Sequence, residues 1–170
     1  MRIEATPISA LAYARYGAIV RAGDHADVRS ANHGTAEAWD ALAVIENARG
    51  AGARCVASLF RCRPHDGHEL AVRWLERHPR STQMFVPMGA PRYLAIVALG
   101  LDAPDVSTLA AFVVEGAQAI TYAPGTWHHP MVALENTIDF VNVIFSDDTE
   151  ADCDERSFEV PPATVLIPRR

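Results

Sequence analysis

The sequence predicts a mainly β protein, a barrel or sandwich of short strands, and two observations carry this prediction. Segments rich in β-branched and aromatic residues recur along the chain, separated by glycine and proline. Helical patterning is scarce, and many short strands with few helices favour a barrel or a sandwich. The length of 170 residues fits one domain, residues 1–170, with a single substantial core.

The predicted strands share a short length and a high content of Val, Ile, Leu, Phe and Tyr. In chain order they are residues 16–20, 54–61, 83–88, 92–99, 117–122 and 137–145. Residues 88–91, with the sequence Met-Gly-Ala-Pro, are predicted to connect the third and fourth of these strands as a hairpin.

One or two short helices are also predicted. The segment 105–116 follows a proline, offers Asp105 or a nearby serine as an N-cap, and ends at Gly116 as a C-cap. These features predict a helix with one apolar stripe. Residues 36–48 are rich in alanine and are consistent either with a second helix or with a strand at 42–45.

Composition excludes several classes of protein. A net charge of −6 argues against a nucleic-acid partner, and neither a signal peptide nor a membrane span is recognisable, so we expect a cytoplasmic protein without a membrane partner. All fifteen basic residues are arginine, which excludes lysine-dependent chemistry such as pyridoxal phosphate attachment and a P-loop. We expect no organic cofactor. The three cysteines lack CxxC spacing and are predicted to be reduced thiols.

The most informative segment is Tyr122-Ala-Pro-Gly-Thr-Trp-His-His-Pro130. Its Pro-Gly pair predicts a tight turn, because proline presets φ and glycine accepts a positive φ. Side chains that follow such a turn are rigidly held, and imidazoles suit metal binding and proton transfer. Adjacent strand residues face opposite ways, so we expect His128 inside the fold and His129 outside. The alternative is a turn in which both histidines are structural.

A second group of polar residues lies upstream. Glu76 and His78 are two residues apart and would share one face of a strand, and Gln83 follows a turn at Pro79 that can direct it to the same place. Together with His128 they form a mixed oxygen and nitrogen set that suits nickel, iron, manganese or zinc. Each residue also has a structural alternative, such as an exposed strand face.

These two segments resemble the two motifs of the cupin superfamily. The first motif reads H-x-H, then an acid, then a glycine; here Glu76 stands for the first histidine and Gln83 for the acid. The run Pro124-Gly125-x-x-His128 resembles the second motif, which ends in a metal-ligand histidine. The resemblance implies a cupin-like double-stranded β-helix, or jelly-roll, barrel.

Longer blocks resemble a particular family, the ureidoglycolate lyases of allantoin degradation. The blocks are Glu76-Arg-His-Pro79, Gln83-x-Phe-x-Pro87, Tyr122, Trp127-His-His-Pro130 and Asp139-Phe140. The family converts (S)-ureidoglycolate into glyoxylate and urea. The resemblance implies that reaction and a homodimer, and it favours a divalent metal, with nickel the first expectation.

The resemblance also implies roles for individual residues. The metal ligands would be Glu76, His78, Gln83 and His128; without a metal, His78 or His128 would be the base. His129 or Tyr122 would donate a proton to the leaving nitrogen, and Arg63, Arg92 and Trp127 are the candidates for contacts with the substrate.

One segment departs from the family pattern. Residues 38–41 read Ala-Trp-Asp-Ala, where the family tends to carry an arginine, an aromatic residue and His-Asp. Two alternatives to the lyase reaction therefore stay open. One is an amidohydrolase that releases ammonia from the same substrate, and the other is a non-catalytic cupin that binds a small carboxylate.

Overall fold

A computed structural model describes residues 1–23, 28–149 and 151–169. It contains one helix, α1 (Ala10–Tyr13), a 3-10 turn at Asn32–Gly34, and seventeen short strands in the described part of the chain. The strands are β1 (Arg2–Glu4), β2 (Thr6–Pro7), β3 (Ile19–Val20), β4 (Arg29–Ala31), β5 (Ala36–Ala38), β6 (Arg54–Cys62), β7 (Glu69–Ala71), β8 (Trp74–Arg77), β9 (Gln83–Pro87), β10 (Arg92–Leu99), β11 (Asp105–Glu115), β12 (Ala119–Tyr122), β13 (Trp127–His128), β14 (Val132–Ala133), β15 (Ile138–Ser146), β16 (Asp154–Ser157) and β17 (Thr164–Leu166).

The strands form three main sheets and a separate β4–β5 hairpin. The central sheet has the order β16-β8-β13-β10-β11-β2, with β14 also paired to β10. The site sheet, as we call the second, has the order β3-β12-β9-β15-β6. The third is a small sheet of β1, β17 and β7. This mainly β architecture confirms the predicted cupin-like fold class.

Two apolar cores lie on opposite faces of the central sheet. Strand β10 is buried along almost its whole length, because its alternate residues enter different cores. Leu94 and Ile96 pack in the outer core with β17, whereas Tyr93 and Val97 pack in the inner core with residues of the site sheet. Strands buried on both faces have continuous apolar sequences rather than alternating ones, as β10 does.

Five of the six predicted strands are confirmed, with ends within two residues of those expected. The predicted strand 16–20 shrinks to Ile19–Val20. Before it, the amide of Tyr16 bonds the carbonyl of Tyr13 in a turn. At Gly17 a Cβ atom would lie 1.8 Å from the carbonyl oxygen of Thr121, so the chain approaches β12 too closely there for any larger residue.

Three expectations about local structure are wrong. Residues 105–115 form strand β11, antiparallel to β10, because Val106, Thr108, Val113 and Val114 suit a strand and the pairing with β10 outweighs the capping pattern. Residues 88–91 do not close a hairpin, since β9 belongs to the site sheet and β10 to the central sheet. Residues 36–48 are neither a helix nor a strand at 42–45; only β5 is regular.

Candidate functional site

Neighbouring strands bring the polar residues of the two sequence motifs together. His128 on β13 is the direct antiparallel partner of Glu76 on β8, and directly opposite residues project from the same face. Tyr122 on β12 is likewise the partner of Gln83 on β9. The turn between these elements is the one expected: Gly125 has φ 82°, and its amide donates to the carbonyl of His78 at 2.9 Å.

The two histidines are fixed in the same tautomer. Nδ1 of His78 lies 2.7 Å from the carbonyl oxygen of Asp152, and Nδ1 of His128 lies 2.9 Å from the carbonyl oxygen of Thr126. A carbonyl oxygen only accepts hydrogen bonds, so each Nδ1 carries the proton. Each Nε2 is left with a lone pair, the arrangement typical of histidines that bind metals.

The Nε2 atoms have no hydrogen-bond partner in the described structure, although both are buried. The side-chain oxygen of Gln83 is buried and unpartnered as well. Nε2 of His128 lies 3.3 Å from a carboxylate oxygen of Glu76. The ligand atoms of Glu76, His78 and His128 all lie within 4.8 Å of one another. Three electron-rich groups thus converge where a cation would satisfy them, and the Gln83 oxygen lines the same cavity as Glu76 and His78. This donor set fits a divalent metal.

The charge states at neutral pH suit the same role. Burial alone would raise the pKa of Glu76, but its interactions with His128 and His78 outweigh burial and hold that pKa below the usual value. Burial, together with the nearby His128, lowers the pKa of His78. At neutral pH the site therefore offers an ionised carboxylate and a neutral imidazole.

Asp152 fastens the segment that carries His78. Its carboxylate is fully buried and accepts from the amide of Arg80 at 2.6 Å and from the hydroxyl of Ser81 at 2.5 Å. Its backbone carbonyl accepts the hydrogen bond from Nδ1 of His78. A guanidinium nitrogen of Arg49 lies 4.0 Å from the same carboxylate, so a cation offsets its buried charge.

A cavity of about 310 Å³ opens beside this cluster. Its polar lining is Glu76, His78, Gln83 and Asn142, and its apolar and sulfur-containing lining is Phe60, Cys62, Phe85, Pro130, Met131 and Ile144. Sequence reasoning missed Asn142 and Asp152. The only sequence signal for Asn142 was a lone amide within the apolar run of residues 140–145.

The structure separates His128 from His129, as strand alternation predicts. His128 is 1% exposed and its ring stacks on that of Tyr122, with centroids 4.0 Å apart. His129 instead lies near Trp74, with ring centroids 6.3 Å apart, and it does not line the cavity. The Tyr122 hydroxyl donates to the sulfur of Met131 at 3.4 Å. Burial raises the pKa of Tyr122 well above its usual value, so the phenol stays protonated.

The three residues expected to contact substrate all lie elsewhere. Arg92 is buried in ion pairs with Glu115 at 2.9 Å and Glu135 at 2.6 Å. Arg63 is exposed and does not line the cavity. Trp127 faces the outer core, on the opposite side of β13 from His128, with the Arg77 guanidinium 4.8 Å from its ring centroid. The expectations for Arg92 and Trp127 fail to match the structure for the same reason, because each side chain is held by a partner far away in sequence.

The segment that departs from the family pattern lies in the β4–β5 hairpin and the residues after it. Asp40 forms a bidentate ion pair with Arg29, with N–O distances of 2.8 and 3.1 Å. Residues 38–41 do not line the cavity beside Glu76 and His78. The departure therefore changes a surface ion pair rather than the walls of that cavity.

The fold and the site define a class of protein, a cupin-like β barrel with a mixed carboxylate, amide and imidazole cluster. Sequence comparison identifies the family. A model of the ureidoglycolate lyase family matches residues 1–165. Proteins named ureidoglycolate lyase from Escherichia coli O9:H4 (strain HS) and from Shigella flexneri are each 35% identical over 143 residues, which cover 84% of this chain and 87% of each relative. The chain belongs to the ureidoglycolate lyase family and is a lyase.

The comparisons confirm the family expected from the sequence blocks. They do not test the roles of individual residues, which stay predictions. Within residues 1–23, 28–149 and 151–169, no helix combines the length and the apolar character that a membrane crossing requires.

Proposed function

We propose that this chain cleaves (S)-ureidoglycolate to glyoxylate and urea. The observation that carries the proposal is the convergence of the unpartnered Nε2 atoms of His78 and His128 on the Glu76 carboxylate, beside a cavity sized for a small polar substrate. Family membership supplies the substrate class, and the reaction serves purine catabolism through allantoin.

A divalent metal fits the donor set, with Glu76, His78 and His128 as ligands and Gln83 as a fourth. Nickel is our first expectation for its identity. A bound divalent ion would act as a Lewis acid that lowers the pKa of the substrate hydroxyl. The protein contributes the orientation of the ligands, because backbone carbonyls fix both imidazoles at Nδ1.

The reaction consumes no water. The hydroxyl proton leaves, the oxygen electron pair forms the carbonyl of glyoxylate, the C–N bond breaks, and the nitrogen takes up a proton to give urea. The hydroxyl oxygen and this nitrogen are bonded to one carbon, so a single side chain can accept the proton from one and deliver it to the other. His78 Nε2 has that role when no ion is bound. If a metal engaged both imidazoles, Glu76 would be the remaining group of the cluster that could carry the proton.

The protein is further proposed to be a cytoplasmic homodimer. Cys55 and Cys62 are free thiols, which fits a reducing compartment. The site sheet presents apolar side chains on its outer face, which fits an interface between two copies.

The experiment is an assay of the purified protein on racemic ureidoglycolate, with and without a chelator, in which glyoxylate, urea and ammonia are measured separately. We expect equal amounts of glyoxylate and urea, consumption of half of the racemate, and loss of activity with chelator that added nickel restores. Ammonia in place of urea would establish an amidohydrolase. Tight glyoxylate binding without turnover would establish a non-catalytic carboxylate-binding cupin.

A further inference from the structure

We propose that Asn142 selects the substrate by accepting a hydrogen bond from its ureido group. The inference rests on the proposed function and assigns a specificity role within the same cavity. Asn142 is 5% exposed, and its side-chain oxygen is buried without a hydrogen-bond partner among the residues that the structure describes. Buried amide oxygens nearly always have a partner, so an unpartnered one requires an explanation.

The place of Asn142 in the sheet explains where its side chain points. On β15 it pairs with Ser58 of β6 on one side and with Phe85 of β9 on the other. Phe85 lines the same cavity as Asn142, and so do Glu76, His78 and Gln83. Asn142 therefore belongs to the site and not to the outer face of the sheet.

Apart from the polar cluster of the site, the side chains that line the cavity with Asn142 are apolar or contain sulfur. Phe60, Phe85, Met131 and Ile144 offer no strong hydrogen-bonding group. An unpartnered acceptor in this wall has little cost when a donor occupies the cavity and a considerable cost when none does. This is the arrangement by which a site rejects ligands that lack the matching donor.

The chemistry of the substrate matches this arrangement. Ureidoglycolate has oxygen-rich groups at one end, a carboxylate and a hydroxyl, and N–H donors at the other. The ionised Glu76 and the two imidazoles would contact the hydroxyl end of the substrate. The ureido N–H groups need a neutral acceptor, because a carboxylate there would add a second buried negative charge. The carboxamide oxygen of Asn142 is such an acceptor.

The test compares the wild-type enzyme with Asn142→Leu, a substitution of similar size that removes the acceptor. We expect kcat/KM for ureidoglycolate to fall about 100-fold, since the site then lacks a partner for a buried donor. Inhibition by glyoxylate should change less than about twofold, because glyoxylate has no ureido group. The Tm should stay the same or rise, because an unpartnered buried oxygen has been removed. Asn136→Leu, the same substitution at an exposed asparagine outside this cavity, is the matched control and should retain wild-type kcat/KM.

Three outcomes would overturn the inference: an unchanged kcat/KM in Asn142→Leu, an equal loss of glyoxylate inhibition, or a loss of activity explained by a lower Tm. If Asn142→Leu does not fold, Asn142→Val is judged by the same criteria, since valine suits a strand. Lack of ureidoglycolate cleavage by the wild-type enzyme would instead overturn the proposed function itself, and the two failures are thereby distinguished.

Discussion

His78 and His128 reach the site from different elements yet are oriented by the same device, a backbone carbonyl at Nδ1. The two carbonyls belong to Asp152 and Thr126, so each ring is held by the backbone of another residue. This hydrogen bonding at Nδ1 leaves two Nε2 lone pairs beside the carboxylate of Glu76. Such a set gains from a cation, because lone pairs of like polarity otherwise face each other.

The adjacent histidines provide a matched pair of variants at the residue scale. His128→Ala removes a group that converges on Glu76, and we expect urea formation to fall at least about 100-fold, the range typical for loss of an acid–base group or ligand. His129→Ala changes the same residue type one position away, just after the end of β13, where the ring lies near Trp74 and does not line the cavity, and it should keep most of the activity. Initial rates of urea release, with circular dichroism to verify folding, measure both. Equal losses in the two variants would contradict this assignment of the site.

The site was predictable from sequence where its residues lie close together in the chain or follow a turn signal. The pair Glu76 and His78, and the turn before His128, are of this kind. Asn142 and Asp152 were not predictable, because their importance depends on register and burial created by distant strands. The role expected for Arg92 was unsupported for the same reason: its acidic partners lie 23 and 43 residues further along the chain.

At the scale of elements, the wrong prediction of a helix at residues 105–115 has a physical explanation. The caps at both ends of that segment satisfy a helix locally, but β11 pairs with nearly the whole of β10. Leu109 and Val113 enter the outer core while Phe112 and Val114 enter the inner core. Burial on two faces gives an apolar run without clear alternation, which resembles a buried helix in sequence.

The connection between β15 and β16 holds the segment that carries His78 in place through hydrogen bonds to Asp152, and we call this contact the clamp. We expect Asp152→Ala to weaken nickel binding about 10- to 100-fold, the usual effect of losing a group that orients a ligand, because the segment from His78 to Ser81 loses two of its hydrogen bonds. Asp152→Asn keeps an oxygen that can accept from the amide of Arg80, so it should recover part of the loss. Calorimetric titration with nickel measures both.

The matched comparison for the clamp is Asp148→Ala, in the same connection but exposed and, within the described part of the chain, paired at the surface with Arg54. Surface ion pairs contribute little to stability, so this variant should bind nickel like the wild type. A clamp role for Asp152 is rejected if Asp152→Ala and Asp148→Ala have the same nickel affinity.

At the scale of the whole molecule, the site sheet has two unequal faces. Its inner face carries Phe85, Phe140 and Asn142 toward the core and the cavity. The strand register aligns two rows of apolar residues on the outer face, and these are Leu59, Val141 and Val86 in one row and Ala57, Val143 and Met84 in the other. They are exposed or half-buried, and β6, at the edge of the sheet, has one side to which no described strand pairs.

Exposed apolar rows beside an unpaired edge strand are features that monomeric proteins avoid, so we expect the outer face of the site sheet to be the homodimer interface. Leu59 is 59% exposed, and Leu59→Glu would place a charge against the same apolar rows of the second copy. Light scattering after size exclusion should show a dimer for the wild type and a monomer for Leu59→Glu. Leu101→Glu, at an 85% exposed leucine in the loop between β10 and β11, is the control and should stay dimeric. A wild-type monomer, or a Leu59→Glu dimer of wild-type affinity, would show that this face is not the interface.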